Sequence, residues 1–256
     1  TDTAANLLGT NLCGGFMTTQ AYTRCYYRLM ATNTLLTIAA VLSLLPAAIL
    51  PFCRPPALDR LFWITLGVAI VGSVVWLWVL FAPGWRSGLA PALWVTVVAS
   101  LAVFGVLSAI MRDLWRLAPL LLPYMLVIAL LATLWLHEPQ RSFTEALPTA
   151  WVQFHILISV VTYGFFTIGA ISGFSVILQE RALKLKRPGN FVRMLPSVAD
   201  GERIQVSLIA AGGAVLGCGL ISGMAAEYFQ SGQIIKFNHK TTLSLMTFGV
   251  IVVLLL

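Results

Sequence analysis

The chain has 256 residues, of which 59% are apolar and only 10% charged, and its mean hydropathy is +0.91. That balance excludes an ordinary soluble domain and calls for a bilayer as solvent. The formal net charge of +7 is carried by short loops between apolar runs and forms no continuous patch, so no nucleic-acid partner is expected.

In chain order, residues 1–16 (TDTAANLLGTNLCGGF) resemble neither a signal peptide nor a span. Residues 1–32 are therefore expected to form an N-terminal extension on the outer side, with Met17 a more natural start. A membrane helix needs roughly 20 predominantly apolar residues. Seven stretches have that character: 33–53, 61–82, 89–111, 117–136, 150–178, 206–227 and 240–256. The connections between them carry charge, Pro or Gly, and none of the runs alternates as a barrel strand would. The predicted fold is all-α, a polytopic transmembrane helical bundle. The final run, VIVVLLL, has no polar flank, so the chain is expected to continue past Leu256 with one further span.

Two parts are expected, four N-terminal helices over 33–149 and a core of three over 150–256. Alternating the loops places Arg54, Arg60, Arg112, Arg116, Arg181, Lys184, Lys186, Arg187, Arg193 and Arg203 on one side. Arg24, Arg28, Arg86, Arg141, Lys236 and Lys240 fall on the other. By the positive-inside rule the first set is cytoplasmic, including the basic loop 179–205, and loops 137–149 and 228–239 face outward. Trp63, Trp85, Trp115, Trp135 and Trp151 fall near span ends, as interfacial aromatics do. The segment LQERALKLKRPGN, with Glu180 and Lys184 spaced i, i+4, predicts that the fifth helix extends beyond the membrane before Pro188-Gly189 stops it. Its basic face suits anchoring, or docking of a soluble partner or anionic lipid.

Cys13, Cys25, Cys53 and Cys218 are widely spaced and read as small apolar packing residues, with no zinc or dithiol motif. No Ser/His/Asp set, phosphate loop or carboxylate pair stands out, so no catalytic residue is assigned. Polar residues inside spans are costly and so become candidates by default. In the fifth span His155, Ser159, Thr162 and Tyr163 stand at i, i+4, i+7 and i+8, on one face of a helix. Gly169-x-x-x-Gly173 in the same helix, and Gly213-x-x-x-Gly217 and Gly219-x-x-x-Gly223 in the sixth, predict close helix packing around this seam.

His155 begins the fifth span and His239 the seventh, both on the outward side of the predicted topology. Neutral imidazole ligates iron, and axial ligation is how proteins hold haem. Trp151, Phe154, Tyr228, Phe229 and Phe237 could cover a porphyrin, and Lys236 and Lys240 could pair with its propionates. By residue type alone an interfacial histidine is a hydrogen-bonded anchor more often than a ligand, and both readings stay open here. His137, in the loop HEPQRS, reads as solvated.

Four segments add a resemblance. WVQFHILISVVTYGFFTIGAISGFSVILQERALK, LPSVADGERI, GAVLGCGLISG and NHKTTLSLMTF resemble, in order and spacing, the C-terminal core of the cytochrome c assembly family, the CcsA/CcmC-like haem-handling membrane proteins. The resemblance covers residues 150–256; the first four spans match only as hydrophobic helices. It implies that His155 is an axial haem ligand; the haem site expected from this and the residue reading together takes His239 as the second iron contact and Trp151, Tyr163, Phe237 and Lys240 as the other contacts. It also implies a multi-pass protein of the bacterial inner (cytoplasmic) membrane with cytochrome-assembly or membrane-complex partners.

Relatives carry a tryptophan-rich segment between the spans matching the sixth and seventh. The equivalent stretch here, AAEYFQSGQIIKFNHKTTLS, has no tryptophan; Glu227, Lys240 and Thr242 echo the pattern. That departure is similar to the YpjD/HemX-like branch, which keeps the histidines without the tryptophan-rich surface. The implied function is haem binding and presentation without bond-breaking by side chains. The alternative is a non-catalytic accessory or regulatory subunit on the same fold without haem. A solute transporter has less support, because the spans carry no mid-membrane charge and no inverted repeat.

Overall fold

The computed structural model describes residues 19–54, 58–82, 86–111, 113–137, 141–142, 150–186, 189–231 and 239–255. Over these the protein is helical: α1 Thr19–Cys53, α2 Arg60–Phe81, α3 Leu89–Ile110, α4 Ala118–Leu134, α5 Ala150–Lys184, α6 Asn190–Met194, α7 Val198–Ser231 and α8 His239–Leu255. Short 3-10 turns, Leu114–Leu117 and Trp135–His137, flank α4. Six of the helices contain stretches long and apolar enough to cross a membrane. This is a multi-pass membrane protein, and its backbone groups are satisfied within each helix, as hydrocarbon demands. The seventh predicted span is α8, whose 17 residues extend only about 26 Å at 1.5 Å per residue.

Two helices begin earlier than hydropathy suggests. α1 starts at Thr19, so part of the segment expected as an extension is helical, and only Thr34–Cys53 is span-like. α7 starts at Val198 because Ser197 caps it: its hydroxyl oxygen accepts from the Asp200 backbone N–H at 3.2 Å. Asp200, Glu202 and Arg203 make that first turn look like loop in a hydropathy profile. α5 does run past its apolar stretch, ending at Lys184.

The deepest packing lies among α1–α4, where Trp94, Phe104, Leu66, Leu101, Leu121 and Met125 are fully buried. Trp76 of α2 meets Trp94 of α3 edge-on at 6.2 Å between centroids. Ile168 of α5 and Ile204 and Leu208 of α7 join this core. α5 approaches α3 closely at Gly164, where a Cβ would stand 3.1 Å from Val103 Cγ2. The outward faces carry exposed Ile, Leu, Val and Phe, the surface that lipid replaces water against.

Contacts between connections fix the two ends of the bundle. Arg86–Ser87 pairs antiparallel with Arg141–Ser142, a two-residue bridge that joins the α2–α3 and α4–α5 connections. At the opposite end Phe52, finishing α1, stacks on Phe191 of α6 with centroids 5.9 Å apart. Gln179 of α5 donates to the carbonyls of Val192, Leu195 and Pro196. The basic residues Arg54, Arg181, Lys184 and Arg193 thus gather at one end, as predicted from loop alternation. Cys53 and Cys218, expected as packing residues, are exposed free thiols.

Candidate functional site

α5 and α7 form the most extensive helix pair, and small residues set its register. Running along α5, Val176 meets Gly201, Gly173 meets Gln205, Gly169 meets Leu208, Phe166 meets Gly212, Ile158 meets Gly219 and His155 meets Gly223. Numbers rise on one helix as they fall on the other, so the pair is antiparallel. In lipid there is little hydrophobic force between helices, and glycine seats of this kind let backbones approach.

His155 occupies the last of these seats. A Cβ on Gly223 would come within 2.9 Å of its Cε1, closer than real Cβ contacts allow, so the imidazole lies where only a glycine leaves room. Its Nδ1 is 2.9 Å from Ser222 Oγ. Ser222 is itself held twice: its hydroxyl donates to the Gly219 carbonyl at 2.9 Å, and its carbonyl accepts from Trp151 Nε1 at 3.0 Å. Trp151 and His155, one turn apart on α5, therefore grip one residue of α7 through its carbonyl and its hydroxyl.

The Ser222 hydroxyl carries a single proton. Donated to the Gly219 carbonyl, it leaves Oγ to accept from Nδ1–H of His155, and that tautomer keeps a lone pair on Nε2. Among the described residues the ring nitrogen that meets a hydrogen-bond partner is Nδ1. Among them, too, no group of three or more His, Cys, Asp or Glu could hold a metal ion. An imidazole nitrogen that keeps its lone pair can ligate the iron of a porphyrin, so the donor chemistry of His155 fits haem.

The remaining predicted residues divide. Trp151 is with His155 and 47% exposed. The predicted polar seam turns largely inward on its own helix: Ser159 donates to the His155 carbonyl and Thr162 to that of Ile158, both at 2.9 Å. Tyr163 lies about 80° round the helix from His155 at 3.6 residues per turn and is 61% exposed, apart from the Ser222 contact. Gly217 meets Phe248 and Gly213 meets Ile251, which runs α8 antiparallel to α7. The N-terminus of α8, where His239 and Lys240 stand, is accordingly at the Ser222 end of α7. The side chains of His137, His239 and Lys240, and all of Phe237, lie outside the described residues.

Ser222 is the residue that sequence reasoning missed. The signal was present: it is the polar member of GLISG, between the two glycines that mark a close helix contact. A hydroxyl inside such a stripe faces the neighbouring helix.

The site is thus a histidine-bearing helix pair at one end of a polytopic bundle. The chain matches the family described as Cytochrome C assembly protein over residues 87–256. It is 40% identical over 232 residues to an Azospirillum brasilense protein described as an uncharacterized 28.8 kDa protein in nifR3-like 5'region, covering 89% of this chain and 86% of that one. No solved structure matches it. The chain belongs to the cytochrome c assembly protein family, and the match takes in α3 and α4 as well as the three helices that carry the resemblance.

Proposed function

We propose that the protein binds or handles haem at the Trp151 end of the bundle, where His155 would hold the iron through Nε2. The observation that carries this reading is the Nδ1 contact to Ser222, which leaves the other ring nitrogen available. Membership of the cytochrome c assembly family supports it independently. Haem would supply the iron that imidazole ligates and the redox couple of that iron. The chain's own part is binding and presentation: His155 holds, Trp151 screens one side of the ring, and no side chain breaks a bond. His239, Phe237, Lys240 and Tyr163 are proposed to complete the site, His239 as second iron contact and Lys240 at a propionate. The basic end, with loop 179–205, is proposed to face the cytoplasm of a bacterium and the haem end the opposite side of the inner membrane, where cytochrome-assembly partners would meet it.

A second reading, a membrane accessory or regulatory subunit without haem, is favoured by one observation: residues 225–244 contain no tryptophan. Absorbance spectra of the purified protein, oxidised and dithionite-reduced, separate the two. The haem reading expects a Soret band that weakens in His155→Ala. No band in protein from haem-replete cells, or a band unchanged in both His155→Ala and His239→Ala, overturns it.

A further inference from the structure

The imidazole of His155 meets α7 at two places, the Ser222 hydroxyl and the space beside Gly223, and the hydroxyl is itself held by α7. Ser222 Oγ stands 2.9 Å from Nδ1, the Gly219 carbonyl takes the serine proton at 2.9 Å, and Gly223 leaves the space that Cε1 occupies. A free histidine in water favours the opposite tautomer, with the proton on Nε2. A ring in that form has no lone pair to offer at Nε2, so iron ligation there would first require a proton to move. The outer partner of a ligating histidine ordinarily settles this by accepting from the other ring nitrogen.

We propose that Ser222 is a positioning residue that locks His155 in the Nδ1-protonated tautomer and so presents Nε2 to a metalloporphyrin. Gly223 is the companion requirement, since any larger residue displaces the ring from the serine. This rests on the haem reading for its purpose but not for its geometry, which concerns α5 and α7 alone. It also gives Trp151 a defined task. By donating to the Ser222 carbonyl at 3.0 Å, the indole holds the serine backbone against α5, one turn before the imidazole.

The test labels the protein with 15N-histidine and reads the ring nitrogens by NMR in lipid nanodiscs, without haem. The chain has three histidines, so His155 is assigned by the signal lost in His155→Gln. The wild type should show a protonated Nδ1 and an unprotonated Nε2. Ser222→Ala should move the proton to Nε2, and Ser222→Thr, which keeps the hydroxyl, should restore the wild-type pattern. A wild-type ring already protonated at Nε2, or a pattern indifferent to Ser222→Ala, overturns the proposal.

A second arm titrates hemin into the same proteins. Loss of an outer partner of this kind weakens binding about 10–100-fold; that loss in Ser222→Ala, with recovery in Ser222→Thr, supports the role in presentation. Equal hemin affinity in wild type and Ser222→Ala overturns that role even where the tautomer moves. Hemin that fails to bind the wild type overturns the haem reading, while the NMR result still decides the tautomer.

Discussion

A Cβ on Gly212 would stand 2.8 Å from Cε1 of Phe166, whereas one on Gly169 would stand 3.6 Å from its nearest neighbour, the Cβ of Leu208. Two glycines of the same helix interface are thus under different constraints. The first seats an aromatic ring, and the second merely borders a side chain at ordinary van der Waals distance.

Gly212→Ala should therefore destabilise the α5–α7 pair by about 1–3 kcal/mol, the usual range for overpacking. Gly169→Ala should be neutral or stabilising, because alanine gains up to about 1 kcal/mol of helix propensity over glycine. Thermal unfolding in one detergent compares them. Phe166→Leu combined with Gly212→Ala should recover part of the loss. Equal losses in the two single variants would show that the glycines do not set the register.

Gln179 offers two amide N–H groups to three carbonyls, those of Val192, Leu195 and Pro196, at 2.8, 3.3 and 3.1 Å. It is the clasp between the end of α5 and the connection to α7. Gln179→Leu leaves these carbonyls without their donor, at a cost of about 1–3 kcal/mol. Opening of the segment should then rise roughly 10-fold for each 1.4 kcal/mol lost. Limited trypsin digestion at Arg181, Lys184 and Arg193 reads this as faster cleavage; an unchanged rate would mean that Phe52 stacked on Phe191 holds the segment unaided.

Asp59 performs two tasks whose energies differ. Its side chain accepts from the Phe62 backbone N–H at 3.0 Å, capping α2, and it pairs with Arg54 at 3.2 Å. Capping contributes about 1 kcal/mol, and a pair this exposed contributes roughly 0.2–1 kcal/mol before screening by salt. Asp59→Ala should thus lower thermal stability more than Arg54→Ala, and Asp59→Asn should keep most of the wild-type value. Matching losses in Asp59→Asn and Asp59→Ala would assign the stabilisation to the ion pair instead.

Hydropathy located the spans because a bilayer leaves few alternatives, and alternation of the loops placed Arg54, Arg181, Lys184 and Arg193 at the end where Phe52 stacks on Phe191 and Gln179 meets the α6 segment. Hydropathy failed where helix and membrane part company. Thr19–Asn33 is polar yet helical, and the first turn of α7 is acidic because Ser197 starts that helix outside the apolar zone. The site was legible in one half. His155 announced itself as a polar residue at the mouth of a span, and Trp151 one turn before it. Its partner Ser222 lies 67 residues away in sequence, and only the antiparallel register of the glycine seats brings the two together. Tyr163 shows the limit of counting by i+7 and i+8: Thr162 is 4% exposed and its neighbour Tyr163 61%, so the two do not share one environment.

α5 runs without a proline for 35 residues, about 52 Å at 1.5 Å per residue. Its first turns carry Trp151 and His155, and its last carry Gln179 and the basic end. The tight glycine seats between them, which hold Val176, Phe166 and His155 against Gly201, Gly212 and Gly223, resist sliding of the helix along α7. The helix is in effect a single crossbar, unbroken by proline, that joins the imidazole at one end of the bundle to the basic loop at the other.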